Sequence, residues 1–488
     1  MSRSRRSIIG LVLAIAAGAT LAGVASAAGQ GTTAHDTRAA KLTNWPEFGL
    51  NPQRTNTTTD STGITAANIG QLHLRRITLP GTVDSSPIFL HDVDVEGAAH
   101  NVAIVTTTYG ITLAIDPASG QILWTFTPPG ISAWAGTYQI TVATPIAAPN
   151  RRFVYATSPN GLVHKLSIEN GTEAAGWPAR ITVLPAREKL TAGLNIADGE
   201  LLATTGGYIG DTPPYVGHIV AINLQSGHID HVFNTLCANR RTIISPPTCS
   251  ASDSAILSRS GPVVEAGGKR VLIATGNAPW NGTTDFGDSL IELTLPGLRL
   301  RQAYTPTDQA MLNSSDLDEG SGSPALLPGH LALIGGKDGL LRLLNLNNLD
   351  GRAKRLPSQT GGQLQLLPTP GSAELFSAPA VWNAYVFVAD GGGTTTYHLS
   401  HQHLQVLWSN STHGTSPILA GGLLWVYDMD SGGLNVYKPL SGKLVTTLSS
   451  GSGHWNSPIV VDGYVILPEG DANSHSTSGV LDIWSRAG

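Results

Sequence analysis

The chain has 488 residues, a formal net charge of -5 at pH 7, and only 13% charged residues. Soluble domains average about 25% charged residues, so much of the polar surface must come from Gly, Ser and Thr. Because Lys and Arg form no run after the leader, the composition disfavours nucleic-acid binding. A surface poor in titratable side chains changes little on acidification, which suits an acidic habitat.

The first 27 residues have the pattern of a signal peptide. Basic residues precede an apolar run from Ile8 to Leu21, and Ala25-Ser26-Ala27 is typical of a cleavage site. We therefore expect a secreted or periplasmic protein without a membrane span. Residues Ser4 to Ile9 partly match a twin-Arg signal, so export by either the Sec or the twin-Arg pathway is possible. Residues 28–43 are polar and aperiodic and predict a flexible leader.

The rest of the chain repeats with a period of roughly 40 residues, and each repeat has several short apolar runs separated by turn residues. This pattern predicts four-stranded propeller blades. In the clearest copy, Asp116 and Gly120 shape a turn and Trp124 packs between blades. We expect Leu72 to Leu79 to close the ring with strands near Val480 to Trp484. We count eight blades, with seven as the alternative, and their cores are predicted at 83–126, 143–183, 191–233, 258–306, 320–356, 374–411, 414–450 and 453–484.

The Trp124 phrase and the opening segment from Asn44 to Asn56 resemble those of propellers that bind pyrroloquinoline quinone (PQQ), the quinoprotein alcohol dehydrogenases. The resemblance spans about residues 44–484. It implies an all-β protein, an eight-bladed β-propeller of four-stranded antiparallel blades, with residues 44–488 as one domain. It also implies that a small substrate, PQQ and calcium bind at one axial mouth, where loops from many blades converge.

Two loops match the family's cofactor contacts. In Gly276-Asn277-Ala278-Pro279-Trp280, Asn277 occupies the place of a calcium ligand, and the resemblance assigns Trp280 to the cofactor site. Lys337 occupies the place of a basic residue that contacts the quinone carbonyls. The alternatives are a Gly-Asn turn after a buried strand and an ordinary hairpin turn.

A third loop is acidic and precedes a predicted inner strand. The family has there an Asp that ligates calcium and takes the hydroxyl proton of an alcohol, and Asp316 or Asp318 occupies its place. Clustered carboxylates raise one another's pKa, which would suit an acid-base group. The alternative is a solvated acidic turn.

Two features of the family are displaced or missing. The family's Glu calcium ligand in the blade-three loop has no counterpart, and Asp211 is the candidate substitute. The adjacent cysteines that cover the quinone in the family are absent from the sequence. We therefore expect PQQ affinity weaker than in the alcohol dehydrogenases, or no cofactor at all.

The two cysteines, Cys237 and Cys249, predict a disulfide in an exported chain, with a free or catalytic pair as the alternative. Their spacing fits neither a zinc motif nor haem attachment. His398, His401 and His403 are interpreted as solvated surface rather than a metal site. The motifs of serine hydrolases, zincins and nucleotide-binding folds are absent from the sequence.

Three functions remain. The first is a quinoprotein-type oxidoreductase, with predicted roles that are catalytic for Asp316 and Asp318, cofactor-binding for Asn277, Lys337 and Trp280, and calcium-ligating for Asn277, Asp316 and Asp211. The second is a cofactor-free enzyme resembling the tetrathionate hydrolases, which are exported propellers with an Asp at the mouth. The third is a non-catalytic propeller with a protein partner, resembling the outer-membrane assembly factor, although this chain has no lipobox Cys.

Overall fold

The computed structural model describes Lys41 and residues 43–486. The predicted signal peptide, 1–27, and most of the predicted leader lie outside the described residues. Within the described part, no helix is long and apolar enough to cross a membrane.

Eight four-stranded antiparallel sheets follow one another along the chain, and each is one blade. Strand β1 is Leu72–Leu79. Blades 1 and 2 consist of β2 Ile88–Val95, β3 Ala98–Thr106, β4 Thr112–Ile115 and β5 Ile122–Phe126, and of β6 Ile146–Ala147, β7 Phe153–Ser158, β8 Leu162–Ser167 and β9 Ala179–Arg180. In and near blade 3, the ladder of β10 Glu188–Lys189 and β13 Gly206–Gly207 accompanies β11 Asn195–Ala197, β12 Glu200–Thr204, β14 His218–Asn223 and β15 Ile229–Asn234.

The remaining blades repeat this order. Blades 4 and 5 consist of β16 Val263–Val264, β17 Arg270–Ala274, β18 Leu290–Thr294 and β19 Leu300–Tyr304, and of β20 Ala325–Leu327, β21 Leu331–Gly335, β22 Leu340–Asn345 and β23 Gln365–Pro368. Blades 6 and 7 consist of β24 Ala380–Trp382, β25 Tyr385–Ala389, β26 Thr394–Ser400 and β27 His403–Asn410, and of β28 Ile418–Ala420, β29 Leu423–Asp428, β30 Gly433–Tyr437 and β31 Leu444–Ser449. Blade 8 consists of β32 Ile459–Val461, β33 Tyr464–Glu469, β34 Gly479–Arg486 and β1.

Helices are short in the described residues. The α-helix α1 is Gln309–Ser314, and 3-10 turns occur at Ile69–Gln71, Ile131–Ala133, Pro246–Thr248, Glu319–Ser321 and Ala472–Ser474.

The ring closes between the two ends of the propeller. Strand β1 pairs with β34, from Leu72 opposite Arg486 to Leu79 opposite Gly479. The predicted closure and the count of eight blades are therefore confirmed, and the alternative of seven is wrong. Blade 5 differs in one respect from its predicted range of 320–356, because its outer strand β23 begins only at Gln365. The preceding segment, rich in Arg, Lys, Pro and Gly, lacks the alternating apolar residues of a strand.

The Trp124 phrase performs the predicted role between blades. Asp116 Oδ1 accepts the N–H of Ala118 at 2.8 Å and of Ser119 at 3.0 Å, and Gly120 has a φ of +80°. The indole Nε1 of Trp124 donates to the carbonyl of Ile168 in blade 2 at 2.7 Å. The phrase thus fixes a turn in one blade and anchors the next blade to it.

The opening segment crosses the inner strands of several blades. Backbone bonds run from Ala147, Val264 and Leu419 to the carbonyls of Pro46, Pro52 and Asn56. The N–H of Gly463, in the turn between β32 and β33, also donates to the carbonyl of Thr62, shortly after this segment. The opening segment therefore lies at the axial end of the ring where the first strand of each blade turns into the second.

Two further predictions concern the surface of the ring. Cys237 and Cys249 form a disulfide, as predicted, and neither is a free thiol. His401 and His403 are exposed and His398 is half-buried, and none of the three belongs to a metal-binding group of the described residues.

Candidate functional site

A cavity of about 490 Å³ opens at the end of the ring opposite the opening segment. In an antiparallel blade, the loops between second and third strands lie at the same end as the connections to the next blade. The cavity draws its lining from both kinds of loop in several blades, including Lys189, Asp211, Arg259, Asp316, Asp318, Lys337, Phe376, His454 and Trp455. A larger groove of about 1090 Å³ lies on the rim beside β1 and contains none of the predicted site residues.

Four of the predicted residues contact one another at this cavity, and Asp316, Asp318 and Lys337 line it. The N–H of Asn277 donates to Asp318 Oδ1 at 2.7 Å, and Lys337 Nζ lies 2.6 Å from Asp318 Oδ2. Asp316 Oδ1 accepts from Asn277 Nδ2 at 2.7 Å and lies 3.2 Å from Lys337 Nζ. Together with Asp211, these four residues are called the acidic wall.

Two glycines make these contacts sterically feasible. A Cβ on Gly276 would lie 2.2 Å from Asp318 Oδ1, and one on Gly336 would lie 2.3 Å from the carbonyl of Asp318. Real Cβ atoms do not approach so closely, so both positions require glycine for close backbone approach. The loops before Asn277 and Lys337 are thus shaped around the Asp318 carboxylate.

Burial distinguishes the two acids of the loop between blades 4 and 5. The side chain of Asp318 is 3% exposed, whereas that of Asp316 is 68% exposed. Burial lowers the pKa of Lys337, but the carboxylates of Asp318 and Asp316 outweigh it and leave that pKa raised. Asp318 is therefore a fixed ion-pair partner of Lys337, and Asp316 is the carboxylate accessible to a ligand.

Asp211 contributes a carboxyl group with an unusual pKa. Burial raises its pKa to about 6, the hydroxyl of Tyr215 at 2.8 Å opposes the shift, and the negative charges of Asp318 and Asp316 add to it. This group changes charge in mildly acidic solution, where an ordinary Asp is already ionised.

The acidic wall has the chemistry of a hard-cation site. Carboxylate and amide oxygens are the donors that Ca²⁺ prefers. Asn277 Oδ1 is buried and accepts no hydrogen bond from the described residues. Within the acidic wall, Asp316 and Asp318 contact the ammonium of Lys337, and the charges of both act on Asp211, so a bound cation would offset the excess negative charge. These three carboxylates do not themselves form a group with all ligand atoms within 4.8 Å.

Trp280 lies apart from the other predicted residues. It packs against the apolar cluster shared by blades 3 and 4 and pairs with Phe286, and it does not line the cavity. The aromatic lining comes instead from Tyr208, Phe376 and Trp455, and the rings of the last two lie 4.9 Å apart between centroids. Our sequence-based assignment of a cofactor contact to Trp280 thus has no support from the geometry.

A second polar cluster, the basic wall, consists of Lys189, Arg259 and His454 and was missed in the sequence. Arg259 Nη1 lies 3.3 Å from Oδ1 of Asp84, and His454 Nδ1 lies 2.8 Å from its Oδ2. Burial raises the pKa of Asp84, but Arg259 and His454 outweigh it and lower that pKa to about 2. Asp471 Oδ1 lies 3.6 Å from His454 Nδ1.

One pattern in the sequence could have found part of this lining. Several inner strands follow a short motif of two small residues and a Pro. In four of the connections between blades, the residue three positions before that Pro lines the cavity. These side chains are Val142, Arg259, Phe376 and Trp455.

Comparison with solved structures shows what this fold is similar to. The quinohemoprotein alcohol dehydrogenase from Comamonas testosteroni aligns with a TM-score of 0.68 and 14% identity over 93% of this chain and 82% of that one. A europium-containing methanol dehydrogenase aligns with a TM-score of 0.67 and 13% identity over 91% and 98%. BamB from Moraxella catarrhalis aligns with a TM-score of 0.52 and 12% identity over 85% and 98%.

No protein-family model matches the chain, and the comparison with curated proteins finds no match. Identities of 12–14% establish likeness of fold rather than of activity. The ring of eight four-stranded blades, its closure and the aligned structures agree. The chain therefore has the eight-bladed propeller fold of the quinoprotein alcohol dehydrogenases.

Proposed function

We propose that this chain is an exported oxidoreductase of the quinoprotein type that binds PQQ, a hard cation and a small substrate in the axial cavity. The observation that carries the proposal is the meeting of Asn277, Asp316, Asp318 and Lys337 around one another. The sequence resemblance assigned these same residues to calcium, proton transfer and the quinone. The aligned quinohemoprotein and europium-containing enzymes support the choice of redox chemistry.

The residues of the acidic wall would have different roles in binding and catalysis. Asn277 Oδ1, Asp316 and Asp211 would hold the cation, and the quinone would supply the two-electron acceptor. Asp316 is exposed to the cavity and is therefore placed to take the hydroxyl proton of a bound alcohol. Asp318 would keep Lys337 charged and fixed in place, since the two groups are in contact and largely buried.

Equilibrium dialysis of the purified protein with PQQ tests this function, with calcium and europium chloride in separate arms. We expect PQQ binding that depends on one of the two cations and weakens at least about 10-fold in Asn277→Ala, which removes the free amide oxygen. Asp230→Asn, a change on the outer strand β15 of blade 3, should bind as the wild type does. Absence of cation-dependent PQQ binding would exclude the quinoprotein function.

A second function is favoured by the placement of Asp211, which lines the cavity with Asp316, accepts from the hydroxyl of Tyr215 and has its pKa raised by burial to about 6. A carboxyl group that keeps its proton in mildly acidic solution could serve as an acid beside a second carboxyl group, without a cofactor. This arrangement suits a cofactor-free propeller enzyme of the tetrathionate hydrolase type. Consumption of tetrathionate in the presence of a chelator, abolished in Asp211→Asn, would support it, and an inert wild-type protein would exclude it.

A further inference from the structure

Lys189 enters the cavity from a short ladder that fixes its direction. Strand β10 pairs Glu188 with Gly207 and Lys189 with Gly206. The side chain of Glu188 is buried on the interior side, where it accepts hydrogen bonds from Val216 N–H and the hydroxyl of Thr182. Because successive side chains of a strand point to opposite faces, Lys189 points the other way and lines the cavity.

The ammonium group of Lys189 has no partner among the described residues. It makes no ion pair within 4.0 Å and no hydrogen bond to them, unlike Lys337, which lines the same cavity. Two carboxylates act on Lys189 from beyond ion-pair distance, Asp84 and Asp471. Asp84 is already paired with Arg259, His454 and the N–H of Ala472, and Asp471 lies 3.6 Å from His454 Nδ1. A partly desolvated cation without a contacting counter-ion is unfavourable. Burial, aided by Arg259 and only partly opposed by Asp84 and Asp471, lowers the pKa of Lys189 to about 8.

We propose that Lys189 and Arg259 form an oxyanion subsite, so that the molecule bound in the cavity carries a carboxylate or a similar anionic group. An anion at this position would supply the counter-ion that Lys189 lacks. The carboxylates of the acidic wall line the same cavity and would repel such a group, so a bound molecule would be oriented with its anionic end on Lys189. A hydroxyl at the other end would then face Asp316.

This inference rests on the proposed function in one respect, the use of the cavity as the active site. It identifies the substrate class as small hydroxy acids. The carboxylates of PQQ itself have the same chemistry and could occupy the subsite. The experiment therefore includes arms that separate the two sources.

Isothermal titration of the full-length protein with glycolate, without PQQ or added cations, tests the subsite directly. Ethylene glycol is the neutral probe of similar size. We expect glycolate to bind and ethylene glycol not to bind, with affinity reduced at least about 10-fold in Lys189→Met and retained within about threefold in Lys189→Arg, in line with the strength of charge-assisted contacts. Lys269→Met, at a lysine with a 71% exposed side chain, should leave glycolate binding unchanged.

Covalent labelling of the wild-type protein covers the case in which a variant fails to fold. Pyridoxal phosphate forms an imine with an accessible amine, and borohydride reduces it, so peptide mapping should find Lys189 labelled and glycolate should reduce the labelling. Equal glycolate affinity in the wild type and Lys189→Met, or labelling of Lys189 that glycolate does not affect, would overturn the proposal.

A final arm repeats the glycolate titration with saturating PQQ. Loss of glycolate binding would assign the subsite to the quinone carboxylates, and retained binding would assign it to the substrate. The first titration contains neither quinone nor cation, so a failure to bind glycolate would reject the oxyanion subsite without rejecting the proposed function. Conversely, absence of PQQ binding in the dialysis experiment would reject the proposed function without affecting the glycolate result.

Discussion

The backbone N–H of Asn277 donates to Asp318 Oδ1 at 2.7 Å and joins the loop of blade 4 to the connection that leads into blade 5. The contact orients both loops at the cavity, since the Asn277 side chain bonds in turn to Asp316. Asp318 has a structural role here through its ion pair with Lys337, whereas Asp316 is free to meet a ligand. The two acids should therefore respond differently to substitution.

Asp316→Asn should lower turnover at least about 100-fold, in line with the contribution of a general base. Its side chain is 68% exposed, so the melting temperature should change little. Asp318→Asn should lower both turnover and melting temperature, because it leaves the largely buried ammonium of Lys337 without its nearest carboxylate. Steady-state kinetics and thermal unfolding of both variants measure this difference.

Asp430→Asn is the matched control, since Asp430 is an exposed acid on a loop at the same end of blade 7. It should keep both properties. Full activity in both Asp316→Asn and Asp318→Asn would remove the cavity from consideration as an active site, and the interaction propeller would become the leading function.

Thermal stability should be higher at pH 4.5 than at pH 8. Burial raises the pKa of Asp211, Glu469 and Asp288 to about 6, 7 and 8, above the values near 4 of the unfolded chain. The folded state then binds more protons than the unfolded state, so this stabilisation is complete below about pH 4 and is lost as pH rises through 6 to 8. Asp84, with its lowered pKa, loses its contribution only below about pH 4.

Scanning calorimetry at the two pH values should show a decrease of at least about 3 °C at pH 8. Asp288→Asn should make the difference in melting temperature between pH 4.5 and pH 8 smaller. Of the three carboxyl groups, Asp288 has the pKa that is raised most, and this variant removes it. A melting temperature that increases between pH 4.5 and pH 8 would contradict the assignment of these shifts.

Gly171→Ala should destabilise the contact between blades 1 and 2. A Cβ at this position would lie 2.7 Å from the indole of Trp124, and the φ of +73° adds backbone strain. Gly97→Ala is the matched control, because Gly97 has a φ of +82° and a Cβ there would meet no atom within 4 Å, so this variant incurs the strain alone. We expect Gly171→Ala to cost about 1–3 kcal/mol more than the control in urea unfolding. Equal costs would exclude the steric contact.

Replacing both Cys237 and Cys249 by Ser should lower the free energy of unfolding by about 2–3 kcal/mol, because the crosslink restricts a short loop of the unfolded chain. Urea unfolding of the double variant measures this difference. Thiol titration of the unreduced, unfolded wild-type protein should find no free thiol. Two reactive thiols would contradict the disulfide.

The periodic pattern was sufficient to predict the blades. Turn residues such as Asp116 and Gly120 act locally, and the apolar runs between turns are short and regular, so strand boundaries follow from neighbouring residues. The pairing of β1 with β34 was also predictable, because a ring of blades needs a strand to close it. Asn277 and Lys337 were found through a resemblance of short loop motifs, which are local in the same way.

Only the tertiary structure determined what faces those loops. Lys189, Arg259 and His454 come from three separate connections, and only Arg259 precedes the small-residue and Pro motif by the spacing shared with other lining residues. Their meeting therefore depends on how the ring brings distant loops to one axis. The same is true of burial, which makes Asp318 an ion-pair partner and leaves Asp316 exposed although the two are separated by one residue. Sequence specified the blades because their hydrogen bonds and turns are local, whereas the chemistry of the cavity depends on desolvation and on charges contributed by different blades.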